Sequence, residues 1–324
     1  MPALWWRWVR GGRGASPVRR RLWLVALAAV ATAVAVAGIA GAVRYGVTFW
    51  LYRGYPAPTL APSVVPARVE TISVASPALG GYRDTVEVVL PPGYASDPAR
   101  RYPVLYLLHG FPGHPSDFLT IGDIAAQEAK LVAAGKMRPV ILVMPTGTRS
   151  YFTDEEWANG VISGNQWETF VARDLVNAID ARYRTIRSGS GRGLAGYSEG
   201  GYGALNIGLH HPGEFGLLES WSGYMIAGDI PAIFDHSQAL LRYNSPADQV
   251  VVVAPLLRAA RTYIWFYCGA SDELAGQDRD FSAELAGLGV AHYFFELPGT
   301  HTWQLWRDTM PQALITASEK LSHG

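Results

Sequence analysis

A chain of 324 residues, 49% of them hydrophobic and 17% charged, can bury a large core, which excludes a disordered polypeptide. Lys+Arg and Asp+Glu both number 27, yet eight Arg lie between Arg7 and Arg53 and no acidic residue precedes Glu70, leaving 19 basic against 27 acidic residues from position 54 onward. A surface of that sign repels a polyphosphate backbone, so nucleic acid is not an expected partner.

The first predicted element is a membrane-spanning helix. From Leu22 to Val43 the chain is almost wholly apolar and uncharged, and at 1.5 Å per residue it spans roughly 33 Å, enough to cross a bilayer. Arg7, Arg10, Arg13, Arg19, Arg20 and Arg21 precede it and only Arg44 and Arg53 follow closely. The positive-inside bias then places the N-terminus in the cytoplasm and everything after the helix outside it. Trp5, Trp6, Trp8 and Trp23 on one side and Tyr45, Trp50 and Tyr52 on the other suit interfacial anchors. The expected organisation is a basic cytoplasmic segment at 1–21, a signal-anchor at 22–43, a Pro-containing linker at 44–66 and a catalytic domain at 67–324, held at the plasma membrane by a single pass. The alternative is secretion after cleavage near Ala35-Val36-Ala37.

Beyond Ala67, β-like runs alternate with helical patterns, the signature of an α/β fold with a mostly parallel central sheet and helices on both faces. Strands are predicted at 69–74, 85–90, 103–108, 139–144, 193–196, 217–221, 263–267 and 292–297, the first two forming an antiparallel entry around the Gly80-Gly81 turn. The apolar spacing of Trp167, Phe170, Val171, Leu175, Ala178 and Ile179 marks a helix with one buried face. Cys268 is the single cysteine, so no intramolecular disulfide forms, and its place at the end of a β-like run reads as a small buried residue.

In an open parallel sheet, ligands bind beyond the carboxyl ends of the strands, so the motifs there carry the chemistry. Gly196-Tyr197-Ser198-Glu199-Gly200, between a strand and a helical segment, has the form of a nucleophile elbow, with Ser198 on the sharp turn and the helix N-terminus behind it. Asp272 follows the 263–267 strand as the expected acid, with Glu273 as the alternative, and His301 follows the next strand as the expected base. The turn after the 103–108 strand, His109-Gly110-Phe111-Pro112, would supply a backbone N–H from Phe111 that joins the N–H of Glu199 in an oxyanion hole. His109 and His114 lack a third ligand at suitable spacing, so no metal is expected. Trp303 and Trp167, together with Trp157 and Trp306, are candidates for lining an apolar cleft.

Val88-Val89-Leu90-Pro91-Pro92-Gly93-Tyr94, the run from Tyr102 to Gly110, Trp167-Glu168-Thr169, the run from Gly196 to Leu205 and Thr300-His301-Thr302-Trp303 together resemble the esterase family of α/β-hydrolases. That family includes esterase D, feruloyl esterase domains and the antigen 85 mycolyltransferases. The resemblance implies a Ser-Asp-His hydrolase without metal or organic cofactor. Tyr267-Cys268-Gly269 and Glu273-Leu274 are most similar to antigen 85, whose acid is a glutamate, which adds weight to Glu273. The arginine with which mycolyltransferases contact sugar is absent from the loop at His109. The expected activity is hydrolysis of a small-molecule, lipid or glycan ester through an acyl-enzyme on Ser198. The alternatives are an acyltransferase using the same three residues and an inactive cell-surface binding module.

Overall fold

The computed structural model describes residues 17–57, 59–150 and 152–322 and divides the chain into two compact units, Met1–Pro56 and Ala57–Gly324. The first unit holds one helix, α1 (Pro17–Tyr52), whose 26-residue stretch Arg21–Gly46 is long and apolar enough to cross a membrane. The anchors expected at Trp5, Trp6 and Trp8, and the basic Arg7, Arg10 and Arg13, lie outside the described residues.

The second unit is built on eight strands: β1 (Arg68–Ala75), β2 (Arg83–Leu90), β3 (Val104–Leu108), β4 (Ile141–Pro145), β5 (Arg192–Tyr197), β6 (Leu217–Trp221), β7 (Tyr263–Gly269) and β8 (His292–Leu297). Their order in the sheet is β1-β2-β4-β3-β5-β6-β7-β8. β1 pairs antiparallel with β2 and β2 with β4, while every pairing from β4 through β8 is parallel. All eight predicted strands are present. β3 and β4 begin later than the alternation suggested, because Pro103 has no N–H to donate and the N–H of Val140 goes to the side chain of Glu128 at 3.1 Å instead of a ladder.

The strands are linked by α2 (Pro115–Thr120), α3 (Ile124–Ala133), α4 (Trp167–Thr169), α5 (Val176–Arg182), α6 (Glu199–His210), α7 (Pro231–Phe234), α8 (Gln238–Tyr243), α9 (Pro246–Ala260), α10 (Ala275–Gly287) and α11 (Trp303–Lys320). A π-helical turn over Phe170–Leu175 joins α4 to α5. Side chains alternate across the sheet, so Val104, Tyr106 and Leu108 enter a core on one face while Leu105 and Leu107 enter a second core on the other. Both faces are covered, as a parallel sheet requires. β3 through β6 are buried along their whole length, while the edge strands β1 and β8 are partly exposed.

Candidate active site

The register of the central strands assembles the site. Leu108 lies beside Gly196, Tyr197 beside Trp221, Trp221 beside Tyr267, and Gly269 beside Leu297, so the segments that follow β3, β5, β6, β7 and β8 leave the sheet at one edge. Each contributes one piece.

Ser198 occupies the turn between β5 and α6 with φ 56° and ψ −125°, a conformation that L-residues rarely adopt. Its N–H donates to the Trp221 carbonyl at 2.9 Å, which holds the turn against β6. The glycines on either side are there for want of space. A Cβ on Gly200 would lie 1.9 Å from the Leu108 carbonyl oxygen and one on Gly196 would lie 2.4 Å from the same atom, so only bare backbone lets α6 start this close to β3.

His301, in the loop after β8, receives the hydroxyl. Its Nε2 lies 2.8 Å from Ser198 Oγ, and its Nδ1 lies 2.9 Å from Asp272 Oδ2. Asp272 is 7% exposed, and its other oxygen accepts from the Leu274 N–H at 3.1 Å. Burial by itself raises this carboxyl, but the hydrogen bonds from His301 and Leu274 outweigh it and hold Asp272 below the usual carboxylate range. An ionised Asp272 fixes Nδ1 as the protonated nitrogen and leaves Nε2 free to accept from the serine. Glu273 is exposed on the neighbouring turn and makes no bond to His301 among those of the described residues; the acid brought to the imidazole is Asp272. The edge of Trp306 packs against the His301 ring, centroids 5.0 Å apart.

The turn after β3 closes the other side. A Cβ on Gly110 would stand 2.8 Å from Ser198 Cβ, so this backbone touches the serine directly and brings the Phe111 peptide alongside it. The peptide between Phe111 and Pro112 is cis. Beneath the turn, Trp157 Nε1 donates to the His109 carbonyl at 3.0 Å. His109 is itself buried, with Nε2 2.5 Å from the Thr146 carbonyl, and burial lowers its pKa. Glu199, whose N–H opens α6, has a buried carboxyl that burial and the nearby Asp154, Glu156 and Glu155 push well above the ordinary range.

The four tryptophans separate. Trp303 is half-buried beside the Ser198 turn, its ring 4.5 Å from that of Tyr197, and Trp306 lies against His301. Trp167 does not reach the site: it is 0% exposed in the core beside Tyr82 and Phe170, with Nε1 bonded to Asn165, so the cleft-lining role expected of it is corrected to packing. Trp157 is also buried, and it supports the turn at His109 from below. A cavity of about 470 Å³ adjoins the imidazole and is lined by Ser271, Asp272, Glu273, Leu274, Thr300 and His301. No three His, Cys, Asp or Glu side chains among the described residues are placed to hold a metal ion.

One polar cluster escaped the sequence reading, in which His210 and His211 simply end a helix. Glu168 accepts from both, at 3.1 and 3.0 Å, and His210 Nε2 lies 2.6 Å from the Tyr243 carbonyl. Burial opposes ionisation of Glu168, but the two imidazoles prevail and hold it at about 2. The partners are 42 and 43 residues apart in the chain, beyond the reach of any local pattern.

The model of the esterase family, described as "Putative esterase", matches residues 76–317. An esterase of Mycobacterium tuberculosis is 31% identical over 253 residues, covering 69% of this chain and 54% of its own length, so the chain spans about half of that curated relative. Among solved structures, a ferulic acid esterase superposes with a TM-score of 0.69 at 26% identity, covering 79% of this chain and 100% of the other. The MPT51 protein of Mycobacterium tuberculosis shares the fold with a TM-score of 0.59 at 23% identity, over 78% of this chain and 99% of its own.

Proposed function

This chain belongs to the esterase family of α/β-hydrolases, and from that premise we propose that it is a membrane-anchored serine esterase whose catalytic domain works outside the cytoplasm. The observation that carries the proposal is the continuous hydrogen-bonded path from Ser198 Oγ through His301 to Asp272. His301 Nε2 takes the serine proton as Oγ attacks the ester carbonyl, and the charge that develops on the carbonyl oxygen is met by the N–H groups of Phe111 and Glu199. The imidazolium, stabilised by ionised Asp272, protonates the departing alcohol. Water, activated by the same imidazole, then opens the acyl-enzyme and releases the acid. A sugar or lipid hydroxyl in place of water would make the protein an acyltransferase through the same intermediate, and analysis of products with and without added acceptor distinguishes the two.

The organisation we propose is a basic segment at 1–21 in the cytoplasm, an anchor at 22–43, a linker at 44–66 and the esterase domain at 67–324. The apolar Arg21–Gly46 stretch and the arginines that precede it support the anchoring. Ser198→Ala should lower kcat toward p-nitrophenyl acetate by on the order of 10⁶ and abolish labelling by a fluorophosphonate, with the circular dichroism spectrum unchanged. Retention of activity by that variant would refute the serine mechanism.

A further inference from the structure

The sheet edge that carries Ser198 bears apolar side chains that face solvent. Phe111 follows β3, Val161 and Ile162 follow β4, and Ile226 follows β6, and they are 43, 50, 53 and 58% exposed. β3, β4 and β6 run in the same direction, so the segments that follow them leave the sheet at the end from which the serine turn projects; Phe111 stands three residues past β3 and Ile226 five past β6, while Val161, farther along its segment, is held to the loop after β6 by its bond to Ile233. The loops are tied to one another: the Val161 N–H donates to the Ile233 carbonyl at 2.8 Å, and the Tyr224 hydroxyl donates to Glu156. Single exposed apolar residues are ordinary on a soluble surface, whereas a group of them at the entrance to a site marks contact with something apolar.

The chain itself indicates what that is. Its Arg21–Gly46 stretch is long and apolar enough to cross a bilayer, and the segment from Arg53 to Ala67, at about 3.1 Å per residue, reaches roughly 45 Å. That is about the width of a folded unit of this size. A tether of such reach keeps the catalytic domain at a bilayer without dictating which face meets it, so the domain's own surface must choose.

We propose that the rim formed by Phe111, Val161, Ile162 and Ile226 docks onto a lipid bilayer surface and that Ser198 draws its ester from that bilayer. This rests on the membrane-anchored esterase reading and adds to it the orientation of the domain and the physical state of the substrate. Apolar side chains carried on separate loops, with the charged Arg149 between Phe111 and Val161 in the chain and Asp229 just after Ile226, suit a headgroup boundary, where polar and apolar groups are both accommodated. A second exposed apolar stripe, Val251, Val252 and Leu256, lies on α9, which packs beside α6 on the flank of the sheet and serves as the control surface.

Cys268 is fully buried, so an added cysteine is the one that takes a thiol dye. The full-length protein, reconstituted in phosphatidylcholine–phosphatidylglycerol vesicles, is labelled with an environment-sensitive dye at Ile162→Cys or at Val252→Cys. At position 162 the dye should shift to the blue and lose about tenfold in accessibility to an aqueous quencher, while at 252 it stays in water. The paired variant Val161→Ser, Ile162→Ser should keep its rate on water-soluble p-nitrophenyl acetate, which also reports folding, and lose about tenfold on p-nitrophenyl palmitate held in the vesicles. A dye at 162 as accessible as one at 252, or one shielded at 252 instead, overturns the docking even where the esterase reading stands. Loss of p-nitrophenyl acetate hydrolysis by Ser198→Ala bears on that reading alone.

Discussion

Two neighbouring carboxylates compete at the scale of the single residue, and backbone geometry separates them. Asp272 is buried at the foot of the imidazole, while Glu273, one residue on, is exposed and lines the adjoining cavity. Asp272→Asn should therefore lower kcat toward p-nitrophenyl acetate by about 10⁴, because an amide can present its N–H to Nδ1 and favour the wrong tautomer. Glu273→Gln should leave kcat within about threefold, since it removes a charge and no bond to the ring; steady-state kinetics on both variants checks the assignment, and the reverse pattern would make Glu273 the acid. The sequence narrowed this choice to two adjacent residues and could not go further, because which of them points inward depends on where the turn after β7 bends. Ser198 and His301 were legible because each sits in a short motif just past a strand. Trp167 was misread for the opposite reason, since an aromatic side chain has the same letter in a core and in a cleft.

At the scale of the element, the elbow depends on how closely α6 approaches β3. The 1.9 Å that would separate a Cβ on Gly200 from the Leu108 carbonyl leaves no room for even one methyl group. Gly200→Ala should cost about 1–3 kcal/mol of stability, read from urea denaturation, and should also slow acylation, because α6 can yield only by shifting the turn that holds Ser198. The pattern strand, Gly-x-Ser-x-Gly, helix announced the turn and the place of Ser198 on it. The Glu168–His210–His211 cluster was silent by contrast, because its partners come from α4 and from the far end of α6 and meet only once the layers have packed. The strand limits were legible to within two residues: β3 starts late because Pro103 has no N–H to donate, β4 because the Val140 N–H goes to Glu128, and β2 and β7 run two residues beyond the predicted 85–90 and 263–267.

On the scale of the whole molecule, several buried carboxyls form no salt bridge among those of the described residues. Burial raises Asp84 to about 7 and Glu128, Glu156 and Asp278 each to about 8. The folded protein thus keeps protons that the unfolded chain has already released, so this contribution to stability is complete below the ordinary carboxylate pKa and is lost as pH rises through the raised values. The melting temperature should fall between roughly pH 5 and pH 9, and Glu128→Gln, whose amide oxygen can still accept from the Val140 N–H, should flatten that fall by on the order of several degrees. Calorimetry across the range tests it, and an unchanged slope would mean that Glu128 is ionised in the fold. The order in which the sheet is laid down has another consequence. Ser198 and His301 stand 103 residues apart, with β6 and β7 between β5 and the outermost strand that delivers the histidine. At about 5–20 residues per second, a growing polypeptide would carry its serine for roughly 5 to 20 s before the imidazole has even been synthesised. Under the proposed mechanism the chain is thereby disarmed throughout its manufacture and acquires reactivity only as the loop after β8 arrives.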